Sequence, residues 1–190
     1  MERFRDQGEE MCELATGLLQ SGRQHEAAEY YQRACDLGAA HGFFSVESRA
    51  FLGLGVLATG EGRAEEGLDL LRNALAAARL AENEASSFDE LFVLYWLINA
   101  LFEADAIEEV EKLVLRYGEM AEEKARKERC LCWEVLRSHV YTARLHEVLC
   151  TWTHVGNHCT MFGPCIPSRP KASVTGSAMF KRLHTHTHPC

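Results

Sequence analysis

Apolar and polar positions follow a helical period through the first three quarters of the chain, and the pattern itself recurs. Met11, Leu14, Ala15, Leu18, Gly22, Ala27, Tyr31 and Ala34 form one row. Phe51, Leu54, Gly55, Ala58, Gly62, Gly67, Leu71 and Ala74 repeat its internal spacing 40 residues later. A third row, Leu94, Leu97, Ile98, Leu101, Asp105, Val110, Val114 and Tyr117, starts 43 residues further on, and a fourth opens at Trp133 with Leu136 and Val140 before it fades. Steps of three, four and seven place residues on one face of an α-helix, so each row reads as two amphipathic helices joined by a tight turn. The spacing predicts helices near 7–20, 24–40, 45–59, 64–83, 88–103, 106–128 and 129–147, which make three hairpins plus one unpaired helix.

The small residues in the rows have a local reason. Gly22 and Gly62 can enter the left-handed conformation that ends the first helix of a hairpin. Asp105 stands in that place in the third row, where the preceding Ala104 allows the turn to shift by one residue. Ala15 and Gly55 let the paired helix approach closely, and Ala27, Gly67, Ala34 and Ala74 do the same from the other side. Phe51, Leu94 and Trp133 are the large side chains expected between neighbouring units.

Composition divides the chain near residue 150. All four prolines follow it and all 28 Asp and Glu precede it. Residues 151–190 carry only Arg169, Lys171, Lys181 and Arg182 as firm charges and show no sustained apolar period, so they read as an irregular, disordered tail behind a repeat domain at 1–150. The whole chain of 190 residues has a net charge of −8. That balance disfavours nucleic acid as a partner, because phosphate neutralisation has no global support. The opening MERFRDQGEE carries charges where a secretory leader needs an apolar run. The longest apolar window, Leu91 to Phe102, is too short to span a bilayer and reads as a buried helix. With no prenylation box at the end, these features imply no membrane anchor, a reducing compartment for the eight cysteines, and a cytoplasmic location.

The segment ELATGLLQSGRQHEAAEYYQRA, Glu13 to Ala34, resembles the tetratricopeptide repeat, with Leu14, Ala15, Leu18, Gly22, Ala27, Tyr31 and Ala34 in register. FLGLGVLATGEGRAEEGLDLLRNAL follows the same pattern, and WEVLRSHVY keeps its first half. The period of about 40 is longer than the usual 34 and is similar to kinesin light chains and LGN-type repeats. The resemblance spans roughly residues 7–147 and implies an all-α, tetratricopeptide-like helical-hairpin superhelix. It also implies a non-catalytic scaffold or adaptor that takes a partner peptide or helix on a concave face lined by the first helix of each pair.

Family geometry places Cys12, Thr16, Leu19 and Gln20 on that face in the first unit, and Arg49, Leu52, Val56 and Thr59 in the second. Phe92, Tyr95, Asn99 and Phe102 follow in the third, with Leu131, Glu134, Ser138 and Tyr141 in the fourth. Arg49, Phe92, Tyr95, Asn99, Phe102 and Tyr141 are the residues expected to bind a partner. Asn99 resembles the family's ligand-contacting asparagine, since its amide both donates and accepts. The basic residues that clamp a chaperone's terminal carboxylate in other members are replaced here by Cys12, Thr16 and Asn99, so such a tail is not expected.

Other constellations carry less. Cys150, His154 and His158 sit at helical spacing, near Cys130, Cys132, His139, His146, Cys159 and Cys165, and a THTHTH run holds His184, His186 and His188. Thiolate with imidazole suits zinc, which makes a metal-binding or metal-stabilised protein the alternative reading, although the spacing matches no established finger framework. The favoured reading therefore has no metal and no cofactor. GLGVLATGEG, Gly53 to Gly62, lacks the Lys-Ser/Thr of a phosphate loop and falls within the repeat register. No catalytic arrangement stands out. EEVEKLVLRYGEMAEEKARKER is expected to be a convex, solvent-facing helix. The apolar face of Leu136 and Val140 has no second helix to cover it, which leaves self-association through the last unit open.

Overall fold

A computed structural model describes residues 2–81, 90–128 and 133–155, with side chains at 2–81, 90–127 and 137–149. Among these residues there are seven α-helices and no strand: α1 Glu2–Gln20, α2 Gln24–His41, α3 Phe44–Gly60, α4 Ala64–Leu80, α5 Glu90–Glu103, α6 Ile107–Glu128 and α7 Trp133–Val155. All seven predicted helices are present. α1 starts earlier than its apolar period, because Phe4 stacks on His41 of α2 with ring centroids 4.7 Å apart and extends the packing by a turn. α4 ends three residues early, and α7 continues to Val155, past the boundary that composition suggests. The remainder of the predicted tail lies outside the described residues.

α1, α3 and α5 end in the same backbone device. Gly22 (φ 80°) and Gly62 (φ 83°) are left-handed, and the next amide reaches back five residues: Arg23 N–H donates to the Leu18 carbonyl and Arg63 N–H to that of Ala58, both at 2.9 Å. This bond satisfies a carbonyl that the helix end would otherwise leave open. Asp105 adopts the same conformation (φ 58°), and Ala106 N–H donates to Leu101 at 3.0 Å. The one-residue shift allowed by Ala104 does not occur. A short aspartate side chain is among the few that tolerate this region, so the turn keeps its register without glycine.

Helices pack in chain order, α1 on α2, α2 on α3 and so on to α7, while α1 also meets α3 and α3 meets α5. Two apolar clusters result. Cys12, Ala15, Leu18, Ala27, Tyr31, Ala34, Val46 and Ala50 build the first, and the second runs from Leu52 and Leu71 through Leu94, Leu97 and Ile98 to Tyr117, Tyr141 and Leu145. Phe51 touches both. Leu94 is fully buried, and the side chain of Trp133 lies outside the described residues.

Close approach explains the small residues. A Cβ on Gly67 would lie 2.9 Å from the Thr59 amide nitrogen and 3.1 Å from the Gly55 carbonyl oxygen. The Tyr31 ring packs directly on Gly53 and occupies the place a Cβ there would take. Leu14 departs from expectation at 48 % exposure. Its equivalents Leu54 and Leu97 pack into the two clusters, whereas no hairpin precedes α1 among the described residues.

Glu90, at the start of α5, was not legible as a structural residue. Its buried carboxylate accepts from Arg79 Nε (3.0 Å) on α4 and from Arg116 Nε (3.1 Å) on α6, tying three helices together at one point. α6 is one-sided as predicted: Val110, Val114, Tyr117 and Ala121 are buried, and most of its acids and bases face water.

Candidate functional site

The predicted partner-binding residues separate into two groups. Arg49, on α3, is half-buried and lies 3.9 Å from Glu13 on α1. Phe92, near the start of α5, is 39 % exposed and meets the edge of the half-buried Trp96 one turn later, with centroids 6.5 Å apart. Those two side chains face solvent at least in part. Tyr95, Asn99, Phe102 and Tyr141 are all buried.

The second group is one cluster, held together by α7. Tyr141 inserts its ring among Tyr95 and Phe102, each 6.3 Å away, and meets Tyr117 of α6 edge-on at 5.6 Å. Asn99 Nδ2 donates to the Tyr141 hydroxyl (2.5 Å) and to the Tyr95 carbonyl (2.6 Å) one turn back in α5. Tyr141 Oη in turn donates to that carbonyl at 3.4 Å. Two arginines of α7 close the sides: the Arg137 guanidinium lies 4.2 Å from the Tyr95 ring centroid and that of Arg144 lies 4.3 Å from Phe102. Thus the asparagine expected to meet a ligand makes an internal contact in this conformation. Helical spacing could not distinguish the two uses, because a residue on the face of α5 that a ligand would meet is also on the face that α7 covers.

Burial governs the acid–base chemistry of the cluster. It pushes the Tyr141 phenol well above the ordinary tyrosine value, with Tyr95 adding to the shift and the Asn99 hydrogen bond opposing it. Burial also raises Tyr95 against the opposing charge of Arg137. Both phenols therefore remain neutral at physiological pH and serve as hydrogen-bonding and packing groups. Arg137 and Arg144 complete the cluster without having been singled out, and Tyr117 enters it from the third row of apolar positions. The signal available was their spacing, since Arg137, Tyr141 and Arg144 fall on one face of α7.

The first two units present a smaller polar line. Thr16 Oγ1 donates to the Cys12 carbonyl at 2.8 Å and lies 2.9 Å from the Tyr31 hydroxyl. Cys12 itself points inward, and burial pushes its thiol up to about 12, while Cys35 is pushed up to about 11. A raised thiol pKa in the folded chain favours the native state below the ordinary thiol value near 9, and that preference is lost as pH climbs from there towards 12. Iodoacetamide at pH 8.5 should accordingly label Cys12 and Cys35 slowly in the native chain and rapidly in urea, and native stability should fall through the alkaline window. Peptide mass spectrometry reads the first effect. Equal native and denatured labelling at both positions would refute their protection.

Among the described residues no group of three or more His, Cys, Asp or Glu could hold a metal ion. His139 and His146 are exposed on α7. The other predicted ligands, Cys130, Cys132, Cys150, His154, His158, Cys159, Cys165, His184, His186 and His188, have side chains outside the described residues. No described helix is long and apolar enough to cross a membrane. Gly53 to Gly62 forms part of α3 and its turn. No protein-family model matches the chain, and neither a curated protein nor a solved structure is significantly similar to it.

Proposed function

We propose that this chain is a non-catalytic interaction module of the cytoplasm, a tetratricopeptide-like superhelix of three hairpins plus an unpaired first helix, α7. The observation that carries the reading is the recurrence of one turn. A left-handed residue followed by the same backward hydrogen bond occurs at Gly22, Gly62 and Asp105, at the 40- and 43-residue spacing of the rows, and once more at Gly42 after α2. The direct meeting of α1 with α3 and of α3 with α5 supports a side-by-side row of first helices. Stacked hairpins of this kind create an extended face on which a peptide or helix from another protein can lie. Arg49 and Phe92 are the predicted contact residues on that row whose side chains reach water.

The test is a double substitution, Arg49→Ala with Phe92→Ala, after a photo-crosslinking residue at position 49 has identified a partner. Helicity should be unchanged, because neither side chain is in the sealed core. Affinity for that partner should fall by about tenfold or more, equivalent to roughly 1.4 kcal/mol. Unchanged affinity in a fully helical double variant would remove this face from consideration.

A further inference from the structure

We infer that the chain closes the open end of its own array: residues 158–166, HCTMFGPCI, run back along α7 as an extended strap that sets Met161 and Phe162 against Val140. The inference is independent of the interaction-module reading, since it concerns the side of α7 turned away from α5 and α6.

That side lacks the cover its counterparts have. Leu18, Ala58 and Leu101 hold the same place in the earlier rows and are buried, each in a helix with a second helix packed on it. Val140 is 58 % exposed, and Ala143 beside it on the same side is exposed too. Arg144 stands at the register position of Gly22, Gly62 and Asp105, yet α7 makes no turn there and continues to Val155. A second helix therefore cannot start where the earlier ones do, and among the described residues no helix follows α7.

The occupant is argued from where α7 ends and what comes next in the chain. Gly156 and Asn157 follow Val155 directly, and these two residue types enter the left-handed conformation that ends a helix and reverses the chain. From Val155 back to Val140, α7 rises about 22 Å at 1.5 Å per residue. Extended backbone covers that length in about seven residues, the separation of Phe162 from Val155. Met161 and Phe162 are thus the large apolar side chains within reach of the uncovered valine. Pro164, Pro167 and Pro170 recur every third residue, which disfavours a helix and pre-sets extended backbone. Charge favours the same contact, because residues 151–190 hold no acid and the array holds all 28. Arrays of stacked hairpins need their terminal apolar face closed to stay soluble, and here the chain supplies the closure itself.

The test places p-benzoylphenylalanine at Phe162 of the full-length chain and maps photo-crosslinks by mass spectrometry. The expected product lies within one chain and joins position 162 to the tryptic peptide Ser138–Arg144, which contains Val140. Val140→Asp should lower its yield about tenfold, because setting a carboxylate against apolar side chains costs more than the roughly 1.4 kcal/mol that a tenfold shift requires. Leu115→Asp, on the exposed side of α6, should leave the yield unchanged. The map in the wild-type chain stands whatever the stability of either variant. Crosslinks that join two copies, crosslinks directed elsewhere in the array, no crosslink to Ser138–Arg144, or equal yield in a fully helical Val140→Asp chain would each overturn the inference.

Discussion

Gly67→Val is expected to destabilise the chain by about 2–3 kcal/mol, because overpacking at a helix crossing forces side chains and backbone apart. The clash is with the Thr59 methyl and, behind it, with main chain. The first added carbon meets the Thr59 nitrogen and the Gly55 oxygen, and neither can turn aside as a flexible side chain would. Valine is the better helix former by only a few tenths of a kcal/mol, so the steric term decides the sign. Gly17→Ala is the matched control. It adds a carbon in α1 that meets nothing within 4 Å, and it should stabilise by up to about 1 kcal/mol. Urea unfolding of the two variants should therefore shift in opposite directions. A Gly67→Val protein as stable as wild type would mean that α3 and α4 do not cross at Gly55 and Gly67.

Tyr141→Ala should cost about 3 kcal/mol or more of α7 docking, in the range typical of removing a large buried aromatic ring. The loss combines the ring contacts with Tyr95, Phe102 and Tyr117 and the hydrogen bond from Asn99. Tyr141→Phe retains the ring and should cost only about 1 kcal/mol, the net worth of an ordinary hydrogen bond. Because this cluster joins α7 to α5 and α6, the alanine variant should show loss of protection concentrated in α7, with α1 to α4 unchanged. Hydrogen exchange resolved by peptide measures this directly. Uniform loss throughout the chain would show that α7 is integral to the array's cooperative unit.

Much of this architecture was legible because helical period and turn chemistry agree. The steps within each row located α2 to α6 to within a few residues and missed the first turn of α1, and Gly22 and Gly62 marked their turns. Asp105 was legible only by register, since its side chain gives a weak signal for a left-handed turn. Gly42 (φ 70°), which closes α2 by donating from the next amide to the Gly38 carbonyl, was missed because it falls between rows rather than within one. The predicted contact residues show a different limit. Phe92 and Tyr95 are three residues apart on one helix, yet one reaches solvent and the other is sealed beneath Arg137 and Tyr141. Local periodicity reports which face a residue occupies, while coverage of that face depends on a helix more than 40 residues away. Glu90 illustrates the same point, as its two arginine partners lie 11 and 26 residues distant.

The chain-order packing of the helices has a kinetic consequence. Each helix finds its main partner in its immediate predecessor or successor, so early contacts require only the closure of short loops. Such a chain can begin to fold at any adjacent pair and extend from there, without waiting for its two ends to meet. During synthesis, α1 and α2 can join before α5 has left the ribosome. The dense α3–α4 pair, with its glycine crossing, then provides a template for the helices that follow.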